Sequence, residues 1–245
     1  MIIREKIDKF RTLLRASMKS EDTEEWLDVH FTRPIGLAFA LFWHRFGVTP
    51  NSITILSIFL GVAAGVMFSF TDTLYNVVGV GLLMLANFCD STDGQLARLT
   101  NQRSMKGRCL DGFAGDTWFF TIYLALVLRL WNEPIPFTTV PWGIGGLALA
   151  AVAGLLSHSP QSSLSDYYRQ IHLYFLMGKK GSELDSYAQE QAIVESLKGK
   201  SNAFWERAFH ANYQYYCKRQ ERRTPAFQRF HKALMAQYGS IEQVP

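Results

Sequence analysis

A chain of 245 residues sets one domain, or two small ones, as the expectation, and its net charge of +4 is too modest to point to a nucleic-acid partner. The 48% hydrophobic and 19% charged content resembles that of a soluble protein, but Ser52 to Phe70 and Pro134 to Ser165 contain no Asp, Glu, Lys or Arg. A bilayer core of about 30 Å takes helices of roughly 18 or more apolar residues, so a wholly soluble chain is excluded. The three cysteines, Cys89, Cys109 and Cys217, are odd in number and lack metal-type spacing, which excludes a disulfide framework.

The chain opens with Ile3, Ile7, Phe10, Leu13 and Leu14 at helical spacing, interleaved with Arg4, Lys6, Lys9, Arg11 and Arg15. This predicts a basic amphipathic helix suited to an anionic leaflet, not a secretory signal, which needs a continuous apolar core. Pro34 to Phe42 is apolar but too short to span, and reads as an interfacial elbow helix. Thr49-Pro50-Asn51 then signals a turn, with a first span at about 52–70 and a second at about 74–99. A third runs from about 104 to 130 and a fourth from about 140 to 156. Residues 161–178 carry Asp166, Arg169 and His172 among aromatics, and read as a separate interfacial helix. The remainder holds Lys179-Lys180, Lys198, Lys200 and the cluster Lys218 to Arg223, a mostly helical layer facing the cytoplasm and touching lipid headgroups. The expected fold is therefore an all-α polytopic membrane bundle. Its expected parts are 1–48 (amphipathic and interfacial helices), 49–157 (transmembrane catalytic core) and 158–245 (cytoplasmic or interfacial helical region).

Charge placement orients the bundle. Arg98, Arg103, Lys106 and Arg108 surround the turn between the second and third spans, whereas Thr71 to Thr73 has no Lys or Arg. The positive-inside rule puts the polar turn in the cytoplasm. That turn also carries the acids: Asp90, Asp93, Asp111 and Asp116 lie on two helix ends that must meet. Carboxylates in membrane helices are costly unless they have partners, so they mark a site. Asp90 and Asp93 share a helix face at a spacing of three, and Asp111 can face them. Such an all-oxygen set suits Mg²⁺ or Mn²⁺ and pyrophosphate chemistry.

The stretch D-S-T-D-G-Q-L-A-R, eight residues, then G-R-C-L-D resembles the signature of the CDP-alcohol phosphotransferase family, D-x-x-D-G-x-x-A-R, eight residues, G-x-x-x-D-x-x-x-D. Asp90, Asp93, Gly94, Ala97, Arg98, Gly107 and Asp111 fall in register. The resemblance implies an integral membrane enzyme of six spans, working at the cytoplasmic face as a homodimer among membrane lipids. An acceptor hydroxyl attacks the β-phosphorus of a CDP-alcohol and CMP leaves. Asp90, Asp93, Asp111 and Asp116 are then the metal ligands, Asp111, Asp116 and Arg98 are the catalytic residues, and Asp116, in the family's final acid role, takes the acceptor proton or ligates a second ion. Gly94, Ala97 and Gly107 make room for the nucleotide, and Arg98 grips phosphate oxygens in a forked geometry. Asn51 and Thr54 match the polar start of the family's first span, where a donor contact is expected.

The last acid departs from the pattern. Gly115 stands four residues after Asp111, and the carboxylate arrives one later at Asp116. Helical residues turn by about 100°, so a residue five on is displaced by about 140° from Asp111. An i→i+5 widening between Gly112 and Gly115 would restore Asp116 to the cluster. Alternatively Asp116 stands behind the ligands and the site works with three acids, or has lost activity. The wording D-G-Q-L-A-R-L-T is close to the choline- and ethanolamine-type transferases with a diacylglycerol acceptor, and inositol-type lipid synthases, with glycerolipid or ceramide products, share the frame. The acceptor is a lipid or polyol hydroxyl. A non-catalytic membrane scaffold of the same fold is the competing reading. Four spans where the resemblance implies six lead to the expectation that the natural protein continues beyond Pro245 with two more, leaving an apolar face on the third and fourth helices; alternatively the partner protomer of a homodimer covers that face, or 161–178 spans after all.

Overall fold

The computed structural model describes residues 2–18, 20, 23–200 and 203–244, with the side chains of residues 2–6 and 180 outside the description. The readings resting on the side chains of Ile3, Arg4, Lys6 and Lys180, and on Pro245, lie outside that description. The chain divides into two compact units, Met1–Pro160 and Gln161–Pro245. No strand occurs among the described residues, and the fold is an all-α membrane helical bundle.

In the first unit, α1 (Ile2–Ser17) is followed by a short π-turn (Asp28–Thr32) and α2 (Arg33–Arg45), with Pro34 in its first turn, where a missing N–H costs nothing. α3 (Pro50–Phe68) starts where Thr49 caps it, its hydroxyl accepting from the Ser52 amide. α4 (Thr73–Leu99) is capped by Asp72, which accepts from the Leu74 amide at 2.7 Å. α5 (Met105–Leu130) is capped by Ser104, accepting from the Gly107 amide at 3.0 Å. Side-chain oxygens thus satisfy amides that a helix start otherwise leaves open. Between α5 and α6 (Gly143–Ala151) lies a short hairpin with a bridge between Pro134 and Pro141.

α3, α4 and α5 pack through small residues. A Cβ on Gly61 of α3 would stand 2.1 Å from Trp118 Cδ1, and one on Gly79 of α4 would stand 2.8 Å from Phe68 Cε1. Ala86, Ala114 and Trp118 form one buried cluster, and Ala40, Ile53 and Leu96 form another nearer the polar end. α2 meets α4 where a Cβ on Gly36 would be 2.6 Å from Gln95 Oε1. Outward residues such as Phe59, Val77, Phe120 and Leu155 remain exposed, as expected of helices whose solvent is hydrocarbon.

Four helical stretches are long and apolar enough to cross a membrane among the described residues: Pro50–Phe68, Thr73–Leu99, Met105–Leu130 and Gly143–Lys179. The first three match the expected spans to within two residues. The fourth corrects the sequence reading, which ended a span near 156 and placed a separate interfacial helix at 161–178. The helix instead continues through a π-turn (Val152–His158) into α7 (Ser159–Gly181), which non-helical Gly178 at φ 70° interrupts near its end. Pro160 lacks an amide hydrogen, and the wider turn directly before it keeps the helix going where a regular α-turn would break.

In the second unit, α8 (Tyr187–Ser196) opens on a capping box between Ser186 and Gln189. It packs on α9 (Phe204–Arg223), and α10 (Pro225–Tyr238) follows. Buried Glu190 pairs with His210 at 2.7 Å. The basic cluster lies along α9, with Lys218 over the Tyr187 ring and Arg219 over Tyr215.

Candidate active site

The site grows from the C-terminal half of α4 and the first turns of α5. Asp90, Asp93 and Asp111 each bring a carboxylate oxygen within 4.8 Å of the others. The spacing of three puts Asp90 and Asp93 on one face of α4, and the Thr100–Ser104 turn returns the chain so that Asp111 meets them. That turn is tight: Asn101 has φ 55°, and the Gln102 amide donates to the Ala97 carbonyl at 2.9 Å. Asp93 is buried, Asp90 half-buried and Asp111 exposed, so the cluster opens on the Asp111 side. Three carboxylates this close repel one another unless a cation joins them, and an oxygen-only set is what a hard divalent ion prefers.

Asp93 is fixed by α3. The buried Thr54 hydroxyl donates to Asp93 Oδ2, and Ser57, fully buried a turn later, donates to the Thr54 carbonyl at 2.7 Å. A carboxylate held by a buried hydroxyl cannot swing away from its neighbours. The sequence reading placed Thr54 near the donor, and its role in the fold is to orient Asp93. Asn51, named with it, borders α5, since a Cβ on Gly107 would stand 3.2 Å from Asn51 Oδ1.

Arg98 lies one turn beyond Gly94. A Cβ on Gly94 would have both Arg98 Nη atoms at 3.5 Å and nothing nearer, so the guanidinium runs along that face. Its Nε donates to the Ser17 carbonyl at the end of α1. Ala97 is half-buried beside it.

Asp116 is not brought into the set. α5 is continuous α-helix from Met105 to Leu130, without the i→i+5 widening expected between Asp111 and Asp116, and Asp116 is exposed. The reason is local: Gly112 and Gly115 have nothing within 4 Å of a Cβ, so no packing conflict forces an extra residue out of register. Among the described residues the π-turns fall elsewhere, at Asp28–Thr32 and Val152–His158. His158 packs against Phe119 with ring centroids 4.0 Å apart and lies 3.4 Å from the Tyr123 hydroxyl.

Residues 47–164, which hold α3, α4, α5 and all three clustered acids, match the family described as CDP-alcohol phosphatidyltransferase. Over that stretch, a little under half of the chain, the protein is similar to a CDP-alcohol phosphatidyltransferase domain. No curated protein matches the chain. The family comprises transferases that draw on a CDP-alcohol donor and use divalent metal, and the carboxylate set suits such an ion. Sequence reasoning missed Ser17, Glu24, Arg33, Ser91 and Gln95, which lie around the family signature. Arg33 makes a two-pronged ion pair with buried Glu24, both contacts 2.9 Å, and reaches Ser91 Oγ at 3.4 Å. Ser91 and Gln95 sit within the signature at positions it leaves open, and the others precede it by more than fifty residues.

Proposed function

We propose that this protein is a membrane phosphotransferase that moves a phospho-alcohol or phosphatidyl group from a CDP-alcohol to a lipid or polyol hydroxyl, with release of CMP, in phospholipid or related lipid synthesis. The observation that carries the reading is the oxygen cluster of Asp90, Asp93 and Asp111 within 4.8 Å, at the ends of two apolar helices and one turn from Arg98. A divalent ion, Mg²⁺ or Mn²⁺, bound by these three acids supplies neutralisation of the pyrophosphate and polarisation of its phosphorus. Arg98 holds phosphate oxygens, and the low bulk of Gly94, Ala97 and Gly107 lets the nucleotide approach the helices. The acceptor oxygen forms its bond to the β-phosphorus as the bond to the CMP oxygen breaks, and the hydroxyl proton passes to a carboxylate. Asp111, the exposed member of the cluster, is the acid placed to receive it. Most of the rate comes from positioning and charge stabilisation, as in phosphoryl transfer generally.

The basic turn between α4 and α5 supports a site at the cytoplasmic face. The family resemblance supports a homodimer. The mass of the detergent-solubilised protein tests that arrangement.

CMP release from CDP-diacylglycerol, CDP-choline and CDP-ethanolamine, each with Mn²⁺ and a panel of diacylglycerol and polyol acceptors, tests the reading. Release that depends on one donor and one acceptor names the substrates. No release with any pair would leave the second reading, a non-catalytic scaffold, which draws its support from Asp116 lying outside the cluster and Gly115 occupying its place.

A further inference from the structure

Arg98 is held from outside the family-matched region. Its Nε donates to the Ser17 carbonyl, while both Nη atoms lie 3.5 Å from where a Cβ on Gly94 would stand. The guanidinium therefore bridges the last turn of α1 and the surface of α4 next to Asp93. Ser17 is itself fixed. It is fully buried, and its hydroxyl accepts from Gln95 Nε2 at 3.2 Å. The same amide donates to the Arg33 carbonyl at 3.0 Å, so both its hydrogens are spent on joining the end of α1 to the start of α2. Gln95 is fully buried, two residues after Asp93 and three before Arg98. The Glu24–Arg33 ion pair and the Arg33–Ser91 contact fasten the same junction to α4.

The arrangement solves a problem of the arginine side chain. An arginine at the end of a membrane helix extends toward water wherever its long stem allows. Its fork binds two phosphate oxygens well only when its plane is set beforehand. A carbonyl at a helix C-terminus is a favourable anchor for the Nε edge, because the partial negative charge of the helix end faces the cation. With Nε anchored, the Nη edge runs along Gly94.

We propose that Gln95 and the Ser17 turn are positioning residues for Arg98, which hold its Nη edge where the donor's pyrophosphate binds. The proposal rests on the reading of Arg98 as a phosphate contact, and makes α1 part of the site although it lies outside the family-matched residues.

The test is a double-mutant cycle on the full chain in detergent, with CDP and Mn²⁺ as the probe and affinity read by calorimetry. Arg98→Ala should weaken CDP by about tenfold or more, the usual range for loss of a charge-assisted hydrogen bond. Gln95→Leu, which keeps the bulk and removes both donors, should weaken it about threefold or more. The double variant should bind no worse than Arg98→Ala alone, because Gln95 acts only through Arg98. Ser17→Ala, which keeps the carbonyl and removes the hydroxyl that Gln95 holds, should repeat the pattern and serves if Gln95→Leu does not fold. Losses that add in the double variant would reduce Gln95 to a packing role and overturn the proposal. So would unchanged affinity in Gln95→Leu and Ser17→Ala beside a weakened Arg98→Ala. Unchanged affinity in Arg98→Ala itself would remove both this inference and the phosphate contact it rests on.

Discussion

Asp93 is the acid with the least freedom, buried on α4 and held by Thr54 from α3. Asp93→Asn keeps the volume and an oxygen for the Thr54 hydroxyl, so insertion and folding should survive, as read by elution of the solubilised protein. CMP release should nonetheless fall by about a hundredfold or more, since a proposed metal ligand and a charge are lost together. Retention of more than about a tenth of the activity would remove Asp93 from the site. Asp116 stands in contrast: exposed on a regular helix, it is turned about 140° from Asp111. Asp116→Asn should lower turnover by less than about tenfold, and a loss as deep as that of Asp93→Asn would mean that α5 changes register when substrates bind. Gly115 offers the converse experiment, because it occupies the place where the family signature has its last acid. A Cβ there meets nothing within 4 Å, so Gly115→Asp fits without moving a neighbour and lands about 40° from Asp111. A tighter Mn²⁺ affinity and faster CMP release are expected. If neither changes, the fourth acid is not what this site lacks.

At the scale of helices, what the sequence made legible follows from how far each signal reaches along the chain. α3, α4 and α5 could be read because an apolar run, a capping Thr49, Asp72 or Ser104 and a polar turn are all local. The meeting of Asp90, Asp93 and Asp111 could be read for the same reason, since a short turn leaves two helices little choice. The continuation of α7 could not: Asp166, Arg169 and His172 mark an interface by composition, while whether the helix breaks at Pro160 depends on the hydrogen-bond register before it. Nor could the Gln95–Ser17 bond, whose partners are 78 residues apart. The close approach of α3 to α5 is likewise tertiary, and it gives a sharp contrast between two glycines. Gly61→Ala would push a methyl to 2.1 Å from the Trp118 ring, which is buried and cannot yield, and should cost about 1–3 kcal/mol of stability by overpacking. Gly112→Ala meets open space on a regular helix and should stabilise α5 by about 0.5–1 kcal/mol. Thermal unfolding in one detergent should place the two variants on opposite sides of the wild type. Equal midpoints would mean that α3 and α5 do not pack as described.

For the whole molecule, the decisive property is which side of the membrane each helix end occupies. α4 is 27 residues long, about 40 Å at 1.5 Å per residue, enough to cross the hydrocarbon and reach the headgroups on both sides. Its two ends therefore face different compartments. One end carries the turn with Arg98, Arg103, Lys106 and Arg108, beside the three acids. The other carries Thr71-Asp72, with no basic residue. α5 returns the chain to that second side, where the hairpin after it, from 131 to 142, has no Lys or Arg and shows Phe137 fully to solvent at φ 67°. The positive-inside bias then predicts the Asn101–Ser104 turn and the acids on the cytoplasmic side, and Phe137 outside. A chain with Cys89, Cys109 and Cys217 replaced by Ser allows one cysteine at a time to report. Gln102→Cys, on the exposed turn, should react with a membrane-impermeant maleimide only after the cells are permeabilised, whereas Phe137→Cys should react in intact cells. The reverse pattern would put the acids on the outer face, away from cytoplasmic CDP-alcohols, and the proposed reaction would lose its donor. Labelling of both sites in intact cells would mean that α5 does not cross, and would remove the bundle on which the site is built.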